Sequence, residues 1–154
     1  MTTCLYDRRT KTVVADTQNT DRSGAIYRTH KIERLKDGRV FLGSGHCNTI
    51  GQMRRWAEKN FAETHRPDFG VLLSDLDEYG SSCLIISKDG EEVLLVDDEM
   101  EPLEVNDDYI AIGSGASFAI GAMDAGAEAQ AAVAIAAQRD PSTSGPFDVI
   151  RIVE

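Results

Sequence analysis

The sequence predicts an α+β fold of four layers, helix, sheet, sheet and helix, and its order of elements carries that prediction. Four strand-like runs precede the first helical pattern, a pair of helical patterns precedes three further strands, and a second helix pair comes before the last strand. One-by-one alternation of strand and helix, the mark of a doubly wound parallel sheet, does not occur. At 154 residues the chain suits one domain, residues 1–154, long enough to bury a core.

Residues 3–8 and 12–16 read as strands joined by Arg9-Thr10-Lys11, so the N-terminus begins inside a hairpin and is held by a sheet. A polar segment, 17–29, follows. Residues 31–35 and 39–42 flank Asp37-Gly38, a strong hairpin signal. From Asn48, a side chain suited to an N-cap, Ile50, Met53, Ala57 and Phe61 recur at helical spacing with Trp56 beside them. Arg54 stands four residues before Glu58, within pairing range on that helix. A second, shorter helix is expected over 66–79, entered through Pro67, containing Phe69, Leu72, Leu73 and Leu76, and closed by Gly80. Residues 82–87 and 92–96 flank Lys88-Asp89-Gly90-Glu91 as another hairpin, and 109–112 add a strand. Two Ala-rich helices, 117–124 and 127–139, are separated at Gly126, and their small side chains suit close approach to a sheet or another helix. Residues 148–153 form the last strand.

Composition removes several function classes. The balance of 26 acidic against 16 basic side chains, a net charge of −10, disfavours nucleic acid and anionic membrane surfaces, both polyanions. Cys4, Cys47 and Cys83 have no paired spacing, and no basic segment followed by an apolar one opens the chain, so reduced thiols and a cytoplasmic location are expected. The most apolar stretch, 116–137, is interrupted by Asp124, Glu128 and Gln130, and no transmembrane span is expected.

The chemistry sits at the start of the chain. Removing Met1 from Met1-Thr2-Thr3 would leave Thr2 with a free α-amine and a hydroxyl, a base and a nucleophile in one residue. Such an amine titrates near about 7.7 to 8.0, so an appreciable fraction is unprotonated at neutral pH. Catalysis at Thr2 needs a cation to hold the amine's pKa down, an acid to place that cation, and backbone donors for an oxyanion. Asp16 at the end of the second strand and Lys31 at the start of the third lie where strand ends can converge on the N-terminus. Gly43-Ser44-Gly45, between a strand and a helix, offers backbone N–H groups without Cβ interference at its glycines.

Several short segments, in this order, resemble the proteasome β-subunits and their bacterial relatives, the HslV peptidases. They are Thr2-Thr3 with Arg8-Arg9, Val13-Val14-Ala15-Asp16-Thr17-Gln18, Lys31-Ile32-Glu33-Arg34-Leu35, the Gly43 loop, Ile110-Ala111-Ile112-Gly113-Ser114-Gly115, and Gln138-Arg139-Asp140 followed by Ser144-Gly145. The resemblance implies the four-layer αββα sandwich of N-terminal nucleophile hydrolases and a threonine-type endopeptidase. It implies Thr2 as nucleophile, Lys31 as the lysine that perturbs the amine, Asp16 as the acid beside it, and Gly43 as the oxyanion donor. Ser114 and Asp140 match the residues that hydrogen-bond around the amine. Ser144 fits the last position of that set with a one-residue insertion, and Thr143 is its alternative. A homo-oligomeric ring, single or stacked as a double ring, fed by an ATP-dependent unfoldase and taking peptide or unfolded protein, is further implied. No cofactor is required for peptide hydrolysis, and a structural cation is left open. Between the first helix and the hairpin at Ser82 the chain is shorter than the family pattern, which leaves ring size and partner docking open.

Other readings compete. Asp16 and Lys31 taken alone would be a plain ion pair, and Gly43-Ser44-Gly45 and Gly113-Ser114-Gly115 plain tight turns. Neither glycine run completes a dinucleotide-binding or nucleophile-elbow pattern. His46-Cys47 with His30 or His65 fits no zinc spacing. The acidic run Asp97-Asp98-Glu99 with Glu101 and Glu104 reads as a solvated loop, and Trp56 and Phe61 read as core. A retained Met1 would acylate the amine that acts as base, which favours a catalytically silent ring-forming structural or assembly protein. An amidase of the same fold acting on a small amide is the other alternative.

Overall fold

The computed structural model of the chain describes residues 2–68, 80–97 and 101–153. In chain order its strands are β1 (Cys4–Asp7), β2 (Thr12–Ala15), β3 (Gln18–Thr20), β4 (Ile26–Arg28), β5 (Ile32–Arg34) and β6 (Val40–Ser44). There follow β7 (Ser82–Ile86), β8 (Val93–Val96), β9 (Leu103–Glu104), β10 (Tyr109–Ile112) and β11 (Asp148–Arg151). The helices among the described residues are α1 (Cys47–Glu58), α2 (Ala116–Asp124) and α3 (Ala129–Arg139).

Two antiparallel sheets form the centre, one ordered β10-β1-β2-β11 and the other β5-β6-β7-β8-β9. Strand alternation sorts each side chain into a layer. Cys4, Tyr6, Val13 and Ala15 of the first sheet pack on Val40, Leu42, Leu84 and Ile86 of the second. The opposite faces carry the helices: Leu5 and Val14 meet Ala119, Met123, Ala132 and Ala136, while Phe41, Cys83 and Ile85 meet Met53, Trp56 and Ala57. Small side chains on α2 and α3 let the helix pair lie close to the sheet. The result is the predicted helix, sheet, sheet, helix stack. Trp56 is buried with its ring edge-on to Phe61, centroids 5.0 Å apart at 86°. Arg54 lies 3.6 Å from Glu58, as expected, and also 3.4 Å from Glu33.

The structure departs from the sequence reading in four places. The polar segment 17–29 contains β3 and β4, a two-stranded ribbon bonded outside both main sheets, with Asn19 paired to Tyr27. Its strands are short and β4 is exposed along its length, so no apolar alternation marks them. Helix α1 starts at Cys47, its first turn closed by the Ile50 N–H on the His46 carbonyl at 2.9 Å, so Asn48 lies inside the first turn and does not cap it. Of the helix expected over 66–79, residues 69–79 lie outside the described residues. Before them, Glu63–His65 form a single 3-10 turn and 66–68 are irregular. Finally, Leu103 and Glu104 of the acidic run pair with β8 as β9, and Glu101 lies 3.2 Å from Arg66, whereas residues 98–100 lie outside the described residues.

Candidate active site

Three strand ends meet where β1 begins. Thr2 precedes β1, Asp16 follows β2, and Lys31 precedes β5. Asp16 is fully buried, and Thr2 is 5% exposed. Lys31 Nζ donates to Thr2 Oγ1 at 2.8 Å and to Asp16 Oδ1 at 2.7 Å, so one ammonium bridges hydroxyl and carboxylate. Asp16 is further held by backbone donors: the Thr3 N–H on Oδ1 at 3.0 Å, and the Gln18 and Ser144 N–H groups on Oδ2, each at 3.2 Å. Four donors saturate a carboxylate. A buried ion pair gains about 4 kcal/mol of attraction at an effective dielectric of 20 but costs several kcal/mol of desolvation per ion, so its net contribution to stability is small. What the pair does is fix Nζ against the Thr2 hydroxyl.

The Thr2 nitrogen is held separately. Its N–H donates to Ser114 Oγ at 3.2 Å, and the Ser114 hydroxyl donates to Asp140 Oδ2 at 2.6 Å. Thr143 Oγ1 donates to the same oxygen at 2.5 Å and lies 2.7 Å from Thr3 Oγ1, which is therefore the donor of that pair. Burial alone would push the Asp140 carboxyl up, but hydrogen bonds from Ser114, Thr143 and the Ser142 N–H outweigh it and hold it below the ordinary carboxylate value. A group whose folded value is depressed adds stability above its unfolded value, and loses it as pH falls through the folded one. Asp140→Asn is therefore expected to be less stable than the wild type near pH 7, in urea melts. That gap should narrow below about pH 4, the ordinary carboxyl range, and close below the depressed folded value.

Close approach explains the glycines. A Cβ on Gly113, whose φ is +104°, would lie 2.0 Å from the Thr2 carbonyl oxygen, and one on Gly115 would lie 2.0 Å from Thr3 Oγ1. Backbone strain alone makes Gly113→Ala cost about 1–3 kcal/mol, and displacement of Thr2 is expected to lower activity at least about 100-fold. A melting curve and a turnover assay on that variant check both. Gly43 ends next to Ile50, whose Cγ2 lies 2.3 Å from where a Cβ would stand. Thr2, Lys31, Gly43 and Gly45 line one cleft of about 1020 Å³. One residue on, the buried Ser44 hydroxyl makes no hydrogen bond among the described residues.

The structure thus brings together Thr2, Lys31, Asp16, Gly43, Ser114 and Asp140. Ser144 is the correction. Its hydroxyl donates to Gln18 Oε1 at 2.5 Å and accepts from Arg28 Nη1 at 2.7 Å, and it meets the cluster through its N–H on Asp16. The turn after α3, closed by the Thr143 N–H on the Asp140 carbonyl at 3.1 Å, folds Thr143 rather than Ser144 back onto Asp140. Sequence reading also missed Thr3 and Gly115 as parts of the site. The neighbouring Cys4 is fully buried, and burial pushes its thiol up to about 12, away from thiolate character near neutral pH.

Two antiparallel sheets between helix layers, with a threonine at the head of a central strand, make the αββα sandwich of the N-terminal nucleophile hydrolases. Among solved structures, the eukaryotic HslV from Trypanosoma brucei superposes with a TM-score of 0.72, at 26% sequence identity, over 96% of this chain and 97% of that one. No protein-family model matches the sequence, and no curated protein matches it. Among the described residues no helix is long and apolar enough to cross a membrane.

Proposed function

We propose that the protein is a threonine-type endopeptidase whose nucleophile is Thr2, exposed as the N-terminal residue by removal of Met1. The observation that carries this reading is the single ammonium of Lys31, 2.8 Å from the Thr2 hydroxyl oxygen and 2.7 Å from Asp16. That placement favours negative charge on Oγ1 and disfavours a protonated amine beside it.

In the first half-reaction the α-amine accepts the Thr2 hydroxyl proton as Oγ1 bonds to the peptide carbonyl carbon. The Gly43 N–H steadies the oxyanion. The C–N bond then breaks, the amine hands its proton to the leaving nitrogen, and an ester on Thr2 remains. Water attacks that ester by the same route in reverse, releasing the acid and restoring the hydroxyl. Ser114, held by Asp140, receives the nitrogen's hydrogen bond and so orients its lone pair. Thr143, not Ser144, completes the polar set around Asp140. Lys31 acts electrostatically and is not the nucleophile.

The likeness to HslV supports assembly into a homo-oligomeric ring served by an ATP-driven unfoldase, with unfolded protein or peptide as substrate. Fluorogenic peptides and a panel of small amides, offered to the Met1-free protein, test the reading. Peptide turnover is the expected result, and turnover of the amides alone would overturn it.

A further inference from the structure

Ser144 turns its hydroxyl away from the Thr2 nitrogen, toward the β3–β4 ribbon. That ribbon supplies one wall of the cleft through Gln18, Asn19 and Thr20, yet among the described residues neither of its strands pairs with a strand of the two main sheets. Its base is tied down at Ser144. Gln18 and Arg28 are register partners across the ribbon, and both reach the same residue. Arg28 Nη1 donates to Ser144 Oγ at 2.7 Å and to Ser144 O at 3.3 Å, while Ser144 Oγ donates to Gln18 Oε1 at 2.5 Å. The Thr17 N–H shares the Ser144 carbonyl at 3.2 Å. Pinned at both oxygens, Ser144 presents its N–H to Asp16 Oδ2 at 3.2 Å, and Asp16 through its other oxygen holds Lys31 on Thr2.

We infer that Arg28 is a positioning residue for the chemistry at Thr2, acting through Ser144 and Asp16 on the Lys31 ammonium. The inference rests on the peptidase reading and adds to it a link between the cleft wall and the nucleophile. A planar guanidinium suits the task, since one nitrogen engages hydroxyl and carbonyl of one residue together. The competing role is local: Arg28 would merely tack down the ribbon on which a peptide lies. The two roles separate kinetically, because loss of a binding wall raises KM, whereas a loosened Lys31 lowers kcat.

The test uses the full-length, Met1-free protein and a small β-lactone, which acylates an N-terminal threonine without reaching the ribbon. Intact mass follows the rate of adduct formation, beside peptide kinetics. Arg28→Ala is expected to slow acylation and lower kcat about tenfold each, with KM changed less than about twofold. Ser144→Ala, which keeps the N–H on Asp16 but loses the hydroxyl that Arg28 grips, should show the same kind of loss. The double variant should be no worse than the poorer single one. Arg28→Lys, whose ammonium keeps the charge and can donate but lacks the fixed planar geometry, should recover part of the rate. It also carries the test should the alanine variant fail to fold, an acylation rate about threefold below wild type being expected of it.

Acylation of Arg28→Ala at the wild-type rate, a change confined to KM, or additive losses in the double variant would each overturn the inference. If Arg28→Ala does not fold, acylation of Arg28→Lys at the wild-type rate overturns it too. Failure of the wild type itself to form the adduct overturns the peptidase reading and the inference with it, so the two failures are told apart.

Discussion

Thr2→Ala is expected to lower kcat for peptide hydrolysis by at least about 10⁴-fold, in a protein that melts within a degree or two of the wild type. The loss is large because in the proposed mechanism this residue supplies the bond-forming oxygen, and the oxyanion donor alone retains only a small residual rate. Stability is spared for a separate reason: Lys31 keeps Asp16 as its partner, so no buried charge is stranded. Thr2→Ser retains amine and hydroxyl together and should retain most of the activity. Undiminished turnover by Thr2→Ala would remove Thr2 from the mechanism.

Lys31→Met is expected to damage both activity and fold. Asp16 is fully buried, and the ammonium is its one charged partner among the described residues. Removing one member of a buried pair leaves an uncompensated charge and costs about 3–5 kcal/mol, here discounted toward the lower figure by three backbone N–H donors that remain on the carboxylate. Acylation should fall about 10²–10³-fold, the scale of losing one preorganised electrostatic contact. Urea denaturation and single-turnover kinetics measure the two effects independently. A stability loss below about 1 kcal/mol would mean that water or another group already compensates Asp16.

The contrast between these two variants reflects how the site is built. In the proposed mechanism nucleophile and base belong to one residue, Thr2, just ahead of β1, and the groups around it stand on strand ends and turns that sheet pairing places. Asp16 N–H bonds the Thr3 carbonyl at 3.1 Å, so the acid is registered to the strand that Thr2 leads into. Gly113 and Gly115 bring the turn after β10 against Thr2 and Thr3 closely enough that no side chain fits.

Much of this was legible in the sequence because burial writes itself as alternation. Leu5 and Val14 on one face and Tyr6 and Val13 on the other announce a sheet covered on both sides, and Asp37-Gly38 fixes the register of β5 on β6. Thr2, Asp16 and Lys31 were readable as strand ends with complementary chemistry. The β3–β4 ribbon was not, since short polar strands paired apart from the main sheets carry no apolar period. Nor did residue order decide between Thr143 and Ser144. Both carry hydroxyls, and the turn that bends one onto Asp140 and the other onto Gln18 depends on hydrogen bonds reaching across more than 100 positions of sequence. Ser114 and Asp140 came through family resemblance alone, because a serine in a glycine turn and an aspartate after a helix are individually commonplace.

The central claim, that Thr2 is an N-terminal nucleophile, is tested most directly by treating the purified protein with a threonine-reactive β-lactone and mapping the adduct by intact mass and peptide sequencing. A chain lacking Met1 that carries one adduct on Thr2 is expected, with none on the Thr2→Ala protein. A chain that retains Met1, or an adduct that forms equally on Thr2→Ala, would contradict it.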